Sequence, residues 1–157
     1  MKNIVKVTML KNLVFFLIIV VVCFSSCKNK DADENIESLE GTAWKLVGIV
    51  DSKTDKLKEL EPKDCEKCYT LTFETYNTFQ TFSSSNELQG IYKANYSTQT
   101  IQITDFRGTK KGEIGDGYLY WNHDIWYTVQ TLSLQENELR LYYNDNKNYL
   151  LFKPLKP

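Results

Sequence analysis

Cys65-Glu66-Lys67-Cys68 sets two thiols at a spacing that suits a disulfide, a dithiol redox pair or part of a metal site. The three chemistries need different surroundings. A redox pair wants its first cysteine at a helix N-terminus, where the thiol pKa falls, whereas Cys68 runs directly into an alternating apolar stretch that begins at Tyr69. A zinc site wants about four ligands. After residue 26 the chain offers only Cys27, these two thiols and one histidine. A disulfide is therefore the favoured reading in an oxidising compartment, and by chain entropy so small a ring is worth about 2 kcal/mol at most, enough to trim a loop. The histidine, His123, stands beside Asp124 and between Trp121 and Trp126. An aspartate can fix an imidazole tautomer for general-base work, but no Gly-x-Ser-x-Gly elbow supplies a nucleophile, and His123 reads as a surface-loop residue. Gly108, Gly112, Gly115 and Gly117 lie among charges with no helix start after them to receive a phosphate. The sequence assigns no catalytic residue, no metal and no cofactor, and the expectation is a protein that is not an enzyme.

The elements that must position these residues follow from composition. Leu13 to Phe24 is an unbroken apolar run preceded by Lys2, Lys6 and Lys11 and followed by Ser25-Ser26-Cys27. Twelve apolar residues are too few for a bilayer span, which takes roughly 20, so residues 1–26 read as a secretory signal. The segment resembles a bacterial lipoprotein signal, which implies that Cys27 carries the lipid and is the first residue after cleavage. Phe24 and Ser26 stand where Leu and Gly or Ala are usual. Acyl chains at ~0.8 kcal/mol per CH₂ would hold the chain on a membrane, and Lys28 in place of Asp points to the outer membrane, on its periplasmic face or at the cell surface. Residues 27–40 then form the anchor and an acidic, solvated tether (KNKDADENIESLE after the cysteine). Setting the three signal lysines aside turns the formal charge of −1 into −4, which argues against a nucleic-acid partner.

From Gly41 the apolar pattern has a period of two. Tyr69, Leu71 and Phe73 alternate with threonines, and Phe79 and Phe82, Leu88 to Ala94, Ile101 and Ile103, Val129 to Leu134, Leu139 to Tyr143 and Tyr149 to Lys153 continue the pattern between short turns. A helical turn is expected at Lys56 to Glu61, a loop at Arg107 to Gly117, and either a strand or a short helix at Tyr118 to Tyr127. The fold class is mainly β: one antiparallel, barrel-like domain of about eight short strands over residues 41–157, closed to hide its edges, with at most a short helix.

Gly41-Thr42-Ala43-Trp44-Lys45-Leu46, Leu71-Thr72-Phe73, Asn86 with Gly90-Ile91-Tyr92, Ile101-Gln102-Ile103, Leu139-Arg140-Leu141 and Leu150-Leu151-Phe152 together resemble the META domain of bacterial heat-shock-type lipoproteins. The resemblance implies a lipocalin-like envelope domain without established catalysis. It transfers no active-site residue, and Ser85 stands where that family often has a cysteine.

The aromatic side chains, among them Trp44, Tyr69, Phe73, Phe79, Tyr92, Trp121, Trp126, Tyr142 and Tyr149, are expected to fill the barrel, since eight strands leave little more room than their own side chains need. Tyr92, Trp121 and Trp126 are the weaker candidates for lining a cup at its mouth. Two roles follow: an envelope interaction or structural module, with another envelope protein as partner, or a lipocalin-like binder of a small hydrophobic molecule or glycan.

Overall fold

The structure, a computed structural model, describes residues 38–135 and 137–155. The signal segment 1–26, Cys27 and the tether up to residue 37 lie outside the described residues. Eleven elements follow in order: β1 (Ala43–Asp51), β2 (Leu57–Lys58), β3 (Thr70–Phe73), β4 (Thr78–Phe82), β5 (Glu87–Asn95), β6 (Thr100–Gly108), α1 (Gly117–Trp121), α2 (His123–Thr128), β7 (Thr131–Gln135), β8 (Glu138–Tyr143) and β9 (Asn148–Pro154). A single 3₁₀ turn, Thr75–Asn77, joins β3 to β4.

Alternation drives the strands into pairing because each buries one face only. All pairings are antiparallel and run in chain order from β3 to β9, and β1 joins β3 on one side and β9 on the other. The result is a closed eight-stranded antiparallel barrel, with β2 as a two-residue flap on the second half of β1. The expected helical turn at Lys56 to Glu61 is absent. Leu57 and Lys58 instead pair with Val50 and Ile49, and the Asp51 N–H donates to the Lys56 carbonyl. Strand β1 itself bulges at Val47, between Leu46 and Gly48. Leu46 therefore faces inward while Val50 faces out, and Val50 is buried on the outer face beside Tyr149, its cross-strand partner.

The seam between β6 and β7 is the weak point of the wall, held in register by one pair, Thr100 with Thr131, and flanking bonds from Ile101 N–H to Gln130 and from Leu132 N–H to Gln99. Two short helices plug it, where the expectation was one at most. Trp126, 0% exposed, lies parallel to Phe79 and Phe106 at centroid distances of 5.5 and 5.2 Å and meets Tyr120 edge-on at 5.3 Å. Its indole N–H donates to the Tyr120 carbonyl at 2.8 Å, while the Tyr120 hydroxyl bonds Thr81 Oγ1 at 2.6 Å, so both buried polar ends are satisfied. Gly90 makes room for this stack, because a Cβ there would strike the Phe79 ring.

Candidate functional site

The chain enters at one end of the barrel and the longer loops gather at the other. At the entrance Leu39 is buried as a stopper, its N–H donating to the Tyr96 hydroxyl at 2.9 Å. Gly41 N–H bonds the Phe73 carbonyl, and Leu155 N–H bonds the Ala43 carbonyl, so the β3–β4 turn and the end of β9 flank the same mouth.

At the opposite end three loops are tied by one polar network. Asn86, 1% exposed, accepts through Oδ1 from Thr109 Oγ1 (2.8 Å) and Lys111 N–H (2.7 Å), and donates through Nδ2 to the Lys111 carbonyl (2.9 Å) and to Glu113. Glu113 also accepts from the Ser83 and Ser84 hydroxyls, each at 2.6 Å. Partial burial by itself would push the Glu113 carboxyl up. The bonds from Ser83, Ser84, Asn86 and the backbone of Ser85 outweigh that burial and hold it below its ordinary value. The sign follows directly: a depressed carboxylate contributes stability that is present above the ordinary glutamate pKa and is lost as pH falls through the lowered value. Acid titration should therefore loosen residues 109–116 before the barrel unfolds, and Glu113→Gln should flatten that acid limb; an unchanged limb in hydrogen exchange would refute the role.

Asp116 repeats the theme toward the β2–β3 loop, pairing with Lys58 at 3.1 Å and accepting from Glu61 N–H, while its own N–H bonds the Glu61 carbonyl. Gly115 passes beneath that carbonyl at φ +57, a conformation and a clearance that suit glycine alone.

The cysteine pair lies beside this network. The Cys65 and Cys68 sulfurs are 1.95 Å apart, at disulfide-bonding distance. The carbonyls of Cys65, Glu66 and Cys68 converge on the Lys45 ammonium, at 2.7 and 3.0 Å for the first two. Burial lowers the Lys45 pKa, with Glu66 acting against it. This arrangement fastens a loop. Cys68 runs toward β3, and among the described residues no helix begins at either cysteine.

The aromatic candidates divide. Tyr92 is buried against Phe73, with ring centroids 4.9 Å apart, and Trp126 is the plug just described, so neither lines a cup. Trp121 is half-buried, its ring 4.9 Å from His123. His123 begins α2, contrary to a loop position, and its ring also meets Phe106 at 5.0 Å and Tyr127 at 6.1 Å. Of these neighbours Tyr127 carries a hydroxyl, and that hydroxyl donates to the Phe106 carbonyl at 3.1 Å. Tyr142 and Tyr149, expected inside, stack on the outer face at 5.0 Å, with the Arg140 guanidinium 5.1 Å over Tyr149. Strand alternation puts them there, because Tyr142 follows Leu141 and Tyr149 precedes Leu150, both of which face the core. Among the described residues no three His, Cys, Asp or Glu side chains gather to hold a metal. Among the described residues an open depression of about 650 Å³ lies at the β5–β6 hairpin, lined by Lys93, Asn95, Tyr96 and Gln102.

These features define a small antiparallel barrel with a filled interior, and solved structures share its fold. An NMR structure of a protein from Burkholderia xenovorans superposes with a TM-score of 0.62 at 17% identity, over 76% of this chain and 85% of that one. A crystal structure of a DUF4847 family protein from Bacteroides vulgatus gives 0.57 at 16% identity, over 78% and 98%. At such identities the likeness is one of fold. In sequence the chain is 35% identical over 134 residues to a Tannerella forsythia protein named "Putative lipoprotein", covering 83% of this chain and 84% of that one, and it belongs to the family of that protein. No protein-family model matches it.

Proposed function

We propose that this is a lipid-anchored protein of the bacterial envelope, held through Cys27 in the outer membrane, whose barrel is a non-enzymatic, META-like interaction or structural module. The observation that carries the reading is the filled interior. Trp126, Tyr120, Phe79 and Phe106 occupy the space a ligand would need, and the buried polar groups at the far end bind one another. That leaves the outer surface as the part able to act. The name carried by the Tannerella forsythia relative supports the anchor, and the closed barrel supports the META likeness. A lipocalin-like role lacks an observation in its favour, since Tyr92 and Trp126 are spent on packing.

At the loop end, opposite the mouth that Leu39 closes, Ile114 and Tyr118 are exposed. They are the side chains best placed to meet an envelope partner. The test is photo-crosslinking in intact cells from probes at positions 114 and 118, alongside metabolic labelling with an alkyne fatty acid. The expected result is a discrete crosslinked species and label that disappears in Cys27→Ala. Label that persists in Cys27→Ala would overturn the anchor, and substrate turnover by the purified domain with no crosslinked partner would overturn the module.

A further inference from the structure

The described residues begin at the barrel mouth, where Tyr76, Asn77 and Gln99 all have left-handed backbone and Tyr76 is the aromatic among them. Tyr76 sits at the tip of the β3–β4 turn with φ +59 and is 90% exposed. A bulky side chain in the left-handed region is strained, and Asn or Gly would serve such a turn better. The fold gains nothing from its ring, which packs against no neighbour in the barrel's aromatic stacks. Strain at an exposed position motivates a functional reading when a second observation gives it a direction.

The direction comes from where the chain arrives. Gly41 and Thr42 hydrogen-bond Phe73, three residues before Tyr76, and Leu39 bonds the hydroxyl of Tyr96 in the β5–β6 hairpin. Tyr76, Tyr96 and Leu155 are therefore exposed at the mouth through which the tether leads back to Cys27. Ten residues, 28–37, separate Cys27 from Ser38, and fully extended they reach at most roughly 36 Å. A domain held on so short a leash presents this mouth to the bilayer more readily than its loop end. Tyrosine is an aromatic suited to the headgroup layer, with an apolar ring and a polar tip.

We infer that the mouth is a membrane-facing surface, with Tyr76 seated among the headgroups of zwitterionic phospholipid. This rests on the anchor proposed above. Exposed Glu40 and Glu74 at the same mouth make an attraction to anionic lipid unsuitable as the basis, so the ring makes the contact.

The test uses the lipidated full-length protein in phosphatidylcholine vesicles whose acyl chains are brominated near the headgroup. Tyr76→Trp places a reporter at the tip, and Tyr118→Trp places one at the loop end. Flotation of the protein with the vesicles and a roughly twofold fall in the added emission of the first variant, with none in the second, is the expected result. Flotation with the first variant unquenched, or with both quenched equally, overturns the membrane-facing mouth and leaves the anchor standing. Protein that does not float overturns both.

Discussion

Trp126→Ala is expected to cost the barrel about 3–5 kcal/mol, the range for removing a fully buried large aromatic. Three effects combine at this position. The ring stack with Phe79 and Phe106 is lost, the indole no longer meets the Tyr120 ring, and the Tyr120 carbonyl loses its donor. The position also fills the wall where β6 and β7 barely pair, so the strands on either side have little with which to close the gap. Urea unfolding followed by tyrosine and far-ultraviolet signals measures the loss. A domain of ordinary stability has about 5–15 kcal/mol in all, so the alanine variant can fall below the limit of folding. Trp126→Phe is the companion: it keeps a ring in the stack and gives up the hydrogen bond, with an expected cost of about 1–2 kcal/mol. A cost below about 1 kcal/mol for the alanine variant would mean that the helices decorate the barrel and do not seal it.

Asn86→Ala carries the second largest effect. Four hydrogen bonds converge on a side chain that is 1% exposed, and its removal strands the Lys111 N–H and weakens the set that holds Glu113. Leaving buried donors without partners costs about 1–3 kcal/mol, and the damage should be local. Trypsin cleavage at Lys110 and Lys111 should accelerate while the β1–β9 ladder stays protected. Asn86→Asp separates geometry from charge. It retains the acceptor but brings a second carboxylate against Glu113, so it should be worse than wild type at neutral pH and partly recover in acid. Uniform destabilisation with no change at residues 109–116 would remove Asn86 from this role.

The strands were legible because each alternates over residues in direct sequence, as in Leu71-Thr72-Phe73 and Leu139-Arg140-Leu141. Tyr118 to Tyr127 was not, and the reason is physical. Aromatics occur on every side of the segment, so neither a period of two nor one of 3.6 emerges, and Asn122 breaks it into two single-turn helices by accepting from Asp124 N–H. The outward turn of Val50 depends on a one-residue bulge in β1 that composition does not mark. The polar network is harder still: Glu113 lies 27 to 30 residues from its partners in the Ser83–Asn86 turn, and no spacing rule connects them. Asn86 stood out only through the META resemblance. The cysteine pair could be read because its chemistry is local.

The pairing of β1 with β9 sets an order of events for the newborn chain. Strand β1, which holds Trp44, is made early, yet one of its two hydrogen-bonding edges is answered only by Asn148 to Pro154, about a hundred residues later, which gives the barrel a high contact order. Local hairpins such as β5–β6 and β8–β9 can form as they emerge, whereas the first strand must wait unsatisfied until the last one is available. A chain delivered from its N-terminal side therefore remains an open, unsealed sheet until β9 arrives, and closure is a single late event.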